Sequence, residues 1–157
     1  MAGMRSRRGR PAGIAIGLAA AALVGCAQRT APLPPACAVT AGALERALLA
    51  APGAVRLDAG TPISVCVERA RTATDLQQVG SLLSTAADAL APAAQTRPTV
   101  AVELGYLVGA TRRGAKATNG VASQLRQRIE TAAALRDAGP AALAALHRGI
   151  LAGQITG

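Results

Sequence analysis

The three cysteines are the side chains of this chain with the most versatile covalent chemistry, and their positions give them different expected roles. Cys26 directly follows a short apolar segment, whereas Cys37 and Cys66 lie farther along the chain. A thiol can accept a lipid, form a disulfide or bind a metal. Two cysteines and the single histidine, His147, are too few for a zinc site, which usually has four ligands. No metal site is therefore predicted.

Residues 1–25 have the order of a secretory signal, with basic residues first and an apolar run from Ile14 to Val24 next. The basic residues are Arg5, Arg7, Arg8 and Arg10. The run ends in Leu23-Val24-Gly25-Cys26, which resembles the lipobox of bacterial lipoproteins. The resemblance covers residues 1–26 only. It implies cleavage before Cys26, a diacylglyceryl group on its thiol and an N-acyl chain on the new amino terminus. It also implies a membrane anchor on the extracytoplasmic side, in the outer or the plasma membrane depending on the organism.

Two alternatives to the lipobox remain open. A transmembrane helix from Ala12 to Ala27 would be roughly 24 Å long, short of the ~30 Å hydrocarbon core. The other alternative is ordinary signal cleavage near Ala20 to Ala22, which would leave Cys26 as an unmodified cysteine.

If Cys26 is acylated, Cys37 and Cys66 are the two thiols that remain. An exported protein lies outside the reducing cytosol, so we predict a disulfide between them. The alternative is a pair of buried free thiols. A disulfide would matter because the chain has no Phe, no Trp and one Tyr, which leaves an aliphatic and alanine core that buries little area per residue.

The periodicity of apolar residues predicts an all-α bundle of about five or six short helices over residues 37–157, after a proline-rich tether at 26–36. Expected starts are near Val39, at Thr61-Pro62, at a Thr74–Gln77 capping box and at Pro98, and Pro92 is expected to end the third helix. For residues 61–70 a strand is the alternative, because Ile63, Val65 and Val67 alternate.

The later helices differ in their apolar patterns. The helix from Pro98 is apolar on most of its surface and carries Ala101, Gly105 and Gly109 as a small-residue stripe, so it is expected in the middle of the bundle. A helix over Val121–Leu135 and a last short helix with Leu143, Leu146 and Ile150 on its inner face are expected to follow.

A basic cluster is the strongest electrostatic feature after the signal. It consists of Arg112, Arg113, Lys116, Arg126 and Arg128, and no acid occurs between Glu103 and Glu130. Such a cluster can contact an anionic surface, either lipid headgroups or envelope polymers. The alternative is a solvated face that keeps the domain soluble. Nucleic acid is an improbable partner, because the cluster has no interleaved aromatics and matches no nucleic-acid-binding motif.

No catalytic residues are predicted, because no nucleophile and base, paired carboxylates or metal ligands are visible. His147 is expected on a helix surface and Tyr106 at the edge of an apolar face. Glu103 is expected either to face solvent or to be a buried acid. The sequence favours a non-enzymatic, lipid-anchored domain that contacts an envelope protein or anionic polymer. The alternative is a small-ligand or lipid-binding module with an apolar pocket between its helices.

The lipobox makes a direct prediction for Cys26→Ser. This variant should carry no acyl mass and should leave the membrane fraction, because each buried CH₂ of an acyl chain contributes about 0.8 kcal/mol to membrane binding. Intact-mass spectrometry and membrane fractionation measure both effects. The control is Cys66→Ser, which should stay acylated and membrane-bound. Wild-type protein without added acyl mass would contradict the assignment.

Overall fold

The computed structural model describes residues 31–157. The predicted signal, Cys26 and the first residues of the tether lie outside the described residues. Six α-helices are α1 (Ala41–Leu48), α2 (Ile63–Arg69), α3 (Ala73–Ala94), α4 (Pro98–Lys116), α5 (Ser123–Ala132) and α6 (Pro140–Thr156). Short 3-10 turns occur at Pro35–Ala38 and Asp58–Gly60, and residues 31–157 contain no strand. The all-α prediction is confirmed. None of the described helices has the length and hydropathy to cross a membrane.

Helix α4 is the centre of the bundle, as its apolar surface predicted. It contacts each of the other five helices described. Every residue from Val100 to Thr111 is buried except Glu103. The remaining helices therefore pack around α4, and their positions are set largely by its surface.

The closest packing is between α4 and α6, and glycines make it possible. A Cβ on Gly105 or Gly109 would overlap the α6 backbone, and a Cβ on Gly149 or Gly153 would overlap the α4 backbone. Gly149 lies against Val102 and Gly153 against Tyr106. The two helices therefore run parallel, with their backbones in direct contact. The predicted small-residue stripe is thus confirmed as a helix-packing surface.

The inner face of α6 differs from the prediction. The helix is 17 residues long, and its buried residues are Ala142, Ala145, Gly149 and Gly153. Leu143 is exposed, and Leu146 and Ile150 are only partly buried. The prediction was wrong about the length of the helix and about Leu143, whereas Leu146 and Ile150 do pack against the core from its edge. The reason is that the close approach to α4 admits only small side chains.

Several helix ends also differ from the predictions. The capping box of α3 is formed by Thr72 and Asp75, whose side chains each bond to the other residue's backbone N–H. Hydrogen bonding from Thr72 lowers the pKa of Asp75.

Pro92 lies inside α3, which continues to Ala94. Pro62 is the N-cap of α2 rather than its first residue. Helix α5 ends at Ala132, well before Gly139. Local patterns thus located the helices but misplaced their ends by a few residues.

The segment over residues 61–70 contains helix α2 and no strand, and it carries the disulfide. Cys37 and Cys66 are bonded, with their Cα atoms 5.5 Å apart, and both are buried. The bond joins the Pro35–Ala38 turn to α2, and it confirms the predicted pairing. Leu33 and Ala36, at the end of the predicted tether, also pack against the core.

Tyr106 was expected at an apolar edge, but it is fully buried. Its hydroxyl accepts from the Val55 N–H at 3.1 Å and lies 2.9 Å from the Thr156 hydroxyl. The Thr156 hydroxyl donates to the Ala152 carbonyl, so the Tyr106 hydroxyl is the donor to Thr156. This side chain therefore ties α4 to the end of α6 and to the segment that precedes α2.

Gly149→Ala should destabilise the protein by about 3 kcal/mol or more, because its methyl group would push two helix backbones apart. Urea unfolding followed by circular dichroism measures this change. The matched control is Gly42→Ala, at an exposed position of α1 where a Cβ meets nothing within 4 Å. That variant should be neutral or up to about 1 kcal/mol more stable. Equal stability of the two variants would contradict the α4–α6 packing.

Changing Cys37 and Cys66 together to alanine should lower the free energy of unfolding by roughly 2 to 4 kcal/mol. The physical reason is that the bond closes a loop with a sequence separation of 29, which restricts the unfolded chain. The helical circular dichroism signal at low temperature should remain. Wild type under reducing conditions should unfold like the double variant, and unchanged stability in both cases would argue against a structural role.

Candidate functional site

Three of the five predicted basic residues share one cleft between α4 and α5. Arg112 and Lys116 come from the end of α4, and Arg126 comes from α5. Gly120 and Ser123 complete the wall at the start of α5, and the cleft has a volume of about 310 Å³. We call it the basic cleft. Helix periodicity explains its composition, because Arg112 and Lys116 are one turn apart on the same face.

The other two predicted basic residues lie elsewhere. Arg113 is directed to the end of α6, where its guanidinium donates to the carbonyl of Ile155 and, at 3.4 Å, to that of Gln154. A cation in this position satisfies carbonyls that the helix end leaves unpaired. Arg128 lies on the opposite side of α5 from the basic cleft, beside α3. The prediction that all five residues form one contact surface remains untested, but the structure groups only three of them.

The basic cleft has an excess of positive charge. Arg112 Nε donates to Glu130 Oε1 at 2.7 Å, and Arg126 Nη1 approaches the same oxygen at 3.4 Å. Glu130 is the one carboxylate that makes an ion pair with these cations among residues 31–157. It is partly exposed, so each pair contributes little to stability. Lys116 has no ionic partner within the same range.

The start of α5 adds to this positive potential. Its N-cap is Ala122, which provides no side-chain acceptor, and its first turn contains no acidic residue. The amino-terminal end of a helix carries a partial positive charge and unpaired N–H groups. The N–H groups of Ala122 and Ser123 already donate to the Thr118 hydroxyl and the Gly120 carbonyl. Arg112, Lys116 and Arg126 nevertheless place three positive charges near this end against the one carboxylate of Glu130, so the site favours an anion.

A second opening lies between α3 and α5, with a volume of about 600 Å³. We call it the α3–α5 groove. Its α3 wall has Gly80 and Ser84 at a spacing of four residues, and Asp88 follows one turn later. Its α5 wall includes Leu125 and Arg128. Because Gly80 and Ser84 have small side chains, this stretch of α3 leaves space where leucines would have filled it.

Ser84 is the least satisfied polar residue of the groove. It is only 4% exposed, and its hydroxyl has no hydrogen-bond partner in residues 31–157. An unpaired buried hydroxyl costs roughly 1 to 3 kcal/mol. Ser84 was not among the residues predicted from the sequence, because it has no charge or thiol and belongs to no motif. The available signal was the pair of small residues on the apolar face of an otherwise regular amphipathic helix.

The remaining candidate residues have simpler environments. Glu103 is the one residue of α4 between Val100 and Thr111 that is not buried, which favours the solvent-facing alternative. Partial burial raises the pKa of its carboxyl, and the charge of Arg97 opposes this shift. His147 is exposed on α6. In the part of the chain that the structure describes, no group of three or more His, Cys, Asp or Glu side chains is arranged to hold a metal.

No protein family, curated protein or solved structure matches this chain. The two openings beside α5 and the predicted signal are the features of this chain that point to a function.

Proposed function

We propose that this protein is an exported, lipid-anchored helical domain that acts without catalysis and binds a phosphate-bearing component of the cell envelope. The basic cleft is the contact site in this proposal. Phosphate is the anion that best fits several cations around a helix start, because it accepts hydrogen bonds from guanidinium, ammonium and backbone N–H groups together.

The observation that carries this proposal is the grouping of Arg112, Lys116 and Arg126 at an uncapped helix start. The five basic residues of the sequence could equally have been distributed around the domain as a solubilising face. Instead, three of them share a concave site, and within the described part of the chain Glu130 is the only acid in ionic contact with them. A concave site can contact one phosphate group from several directions, which a flat basic face cannot.

The proposed lipid on Cys26 supports the same function by concentration. An anchored domain samples a small volume next to the membrane, so a weak individual contact gives a stable association. The phosphate can belong to a lipid headgroup or to an anionic envelope polymer. Both sources have the same chemistry at the binding site, and they are separable by experiment.

The second candidate function, a small-ligand or lipid-binding module, is favoured by the α3–α5 groove and its unpaired Ser84 hydroxyl. This function would use the opposite side of α5. One domain can therefore have both functions, and substitutions in one site should abolish one function without the other.

The double change of Lys116→Gln and Arg126→Gln should weaken phosphate binding by about 30-fold at low salt. The physical reason is that each Lys or Arg near an anionic surface contributes about 1 kcal/mol. Full-length protein in a non-ionic detergent is titrated with soluble polyphosphate, and separately with micelles containing an anionic phospholipid, by isothermal calorimetry. The difference between variants should fade as salt rises.

The matched control is the double change of Arg136→Gln and Arg148→Gln, two exposed residues outside the basic cleft. It removes the same charge but should reduce binding by less than about threefold, because the effect at a distance is screened. Binding to polyphosphate alone would identify a polymer, and binding to anionic micelles alone would identify a headgroup. Equal losses in the two double variants would refute a site in the basic cleft.

A further inference from the structure

We infer that the α3–α5 groove binds a single-chain zwitterionic phospholipid, with its head group between Asp88 and Arg128 and its acyl chain along the groove. This inference rests on the second candidate function proposed above and names its ligand, and the site is separate from the basic cleft.

The relative direction of α3 and α5 determines which of their residues meet at each end of the groove. Arg71 Nη2 bonds to the carbonyl of Ala117 at 3.1 Å, so the chain before α3 lies near the chain after α4. Farther along, a Cβ on Gly80 would lie 3.8 Å from Leu125. These two contacts occur in the same order on both segments, which indicates that α3 and α5 run in the same direction.

The apolar end of the groove is therefore formed by Leu76 and Val121, and Asp88 lies at the other end of its α3 wall. Arg128 follows Leu125 by about one turn of α5, so its backbone is level with Ser84 and its long side chain reaches the head group from there. Leu76 and Asp88 are separated by roughly 18 Å along α3. Val121 is an exposed aliphatic residue at the groove wall. The site is elongated, with aliphatic side chains at one end and one charge of each sign at the other.

The charges at the polar end match a zwitterion. Asp88 and Arg128 are both exposed, and neither forms an ion pair within residues 31–157, so both are free to bind a ligand. A guanidinium binds phosphate through two parallel hydrogen bonds, and a carboxylate binds an ammonium group. A purely anionic head group would place a like charge near Asp88, and an uncharged one would leave both side chains with water alone.

Ser84 lies between the two ends and is the observation that points most directly to a ligand. It is one helical turn from Asp88 and two turns from Leu76, and its buried hydroxyl has no partner in the described residues. In a single-chain phospholipid the glycerol hydroxyl and the ester carbonyl come directly after the phosphate. Either group could form a hydrogen bond with the Ser84 hydroxyl, so the order of polar and apolar groups in the ligand follows the order of residues in the groove.

Small residues at the floor of the groove leave room for the acyl chain. A Cβ placed on Gly80 would make an ordinary van der Waals contact with Leu125 at 3.8 Å and would meet no other side chain within 4 Å, so a methyl group fits there and a larger side chain would extend into the groove. The volume of about 600 Å³ is within the range of small-ligand sites. The groove is also lined by Gln77 and Gln124, which can remain hydrated at its rim.

The test uses lysophosphatidylethanolamine as the zwitterionic probe and full-length protein in a non-ionic detergent. Native mass spectrometry counts bound probe molecules. The same titration is run with lysophosphatidylglycerol, which lacks the ammonium group, and with a monoacylglycerol, which lacks both charged groups. We expect a one-to-one complex with the zwitterion, an affinity about five- to tenfold lower for lysophosphatidylglycerol, which loses one charged contact, and an affinity about 25- to 100-fold lower for the monoacylglycerol, which loses both. Equal binding of all three amphiphiles would overturn the proposal.

Substitutions at the charged end test which residue recognises which group. Arg128→Gln should weaken binding of the zwitterionic probe and of the anionic probe alike by about tenfold. Asp88→Asn should weaken binding of the zwitterionic probe alone, so that the protein no longer prefers it to the anionic probe. An unchanged preference in Asp88→Asn would refute the assignment of the ammonium group. The Lys116→Gln and Arg126→Gln double variant should bind the zwitterion as wild type does, which separates this site from the basic cleft.

Two substitutions at the floor separate ligand binding from folding. Gly80→Leu should occlude the groove and abolish binding, yet keep or raise the melting temperature, because leucine is a better helix former than glycine. Ser84→Ala should also melt at or above the wild-type temperature without ligand, since it removes an unpaired buried hydroxyl, but bind the probe about two- to tenfold more weakly. Full binding by Gly80→Leu would place the ligand elsewhere and overturn the proposal.

Discussion

Direct contact between the backbones of α4 and α6 is the constraint on which the rest of this bundle depends. A chain without Phe or Trp buries little area per side chain, so it needs many close atomic contacts instead. Gly105 and Gly109 on one helix and Gly149 and Gly153 on the other allow that closeness. Glycine loses more conformational entropy than other residues when a helix forms, and the resulting packing must offset this cost. The disulfide and the Tyr106 hydroxyl add further connections around the same central helix.

The position of α5 follows from this arrangement and creates both candidate sites. With α6 occupying the glycine face of α4, α5 packs between the end of α4 and the face of α3. Glu130 connects it to Arg112 on one side, and Leu125 approaches Gly80 on the other. Both contacts leave open space beside α5. Between α4 and α5 this space is the basic cleft, which has an excess of positive charge. Between α3 and α5 it is the elongated groove, where the buried Ser84 hydroxyl has no partner in residues 31–157.

The two proposals share a physical basis, because each places a phosphate group next to arginine in a protein expected at a membrane surface. They differ in what surrounds that phosphate. The basic cleft has several cations and an uncapped helix start, which suit a bare or polymeric phosphate. The groove has one charge of each sign, further polar side chains along its length and aliphatic side chains towards one end, an order that suits an amphiphile. A membrane anchor on Cys26 would bring both sites close to such ligands without any further contact.

The sequence by itself determined the all-α class, the central place of α4, the Cys37–Cys66 pairing and the presence of a basic cluster, because periodicity, composition and charge are local properties. Only the tertiary structure decided which residues act together. Arg126 and Arg128 are two positions apart, yet helix geometry places them on opposite sides of α5. Gly149 and Gly153, rather than the aliphatic residues of α6, face α4 directly, because contact between two backbones depends on both helices. Ser84 became notable only when the structure of residues 31–157 showed its hydroxyl buried without a hydrogen-bond partner.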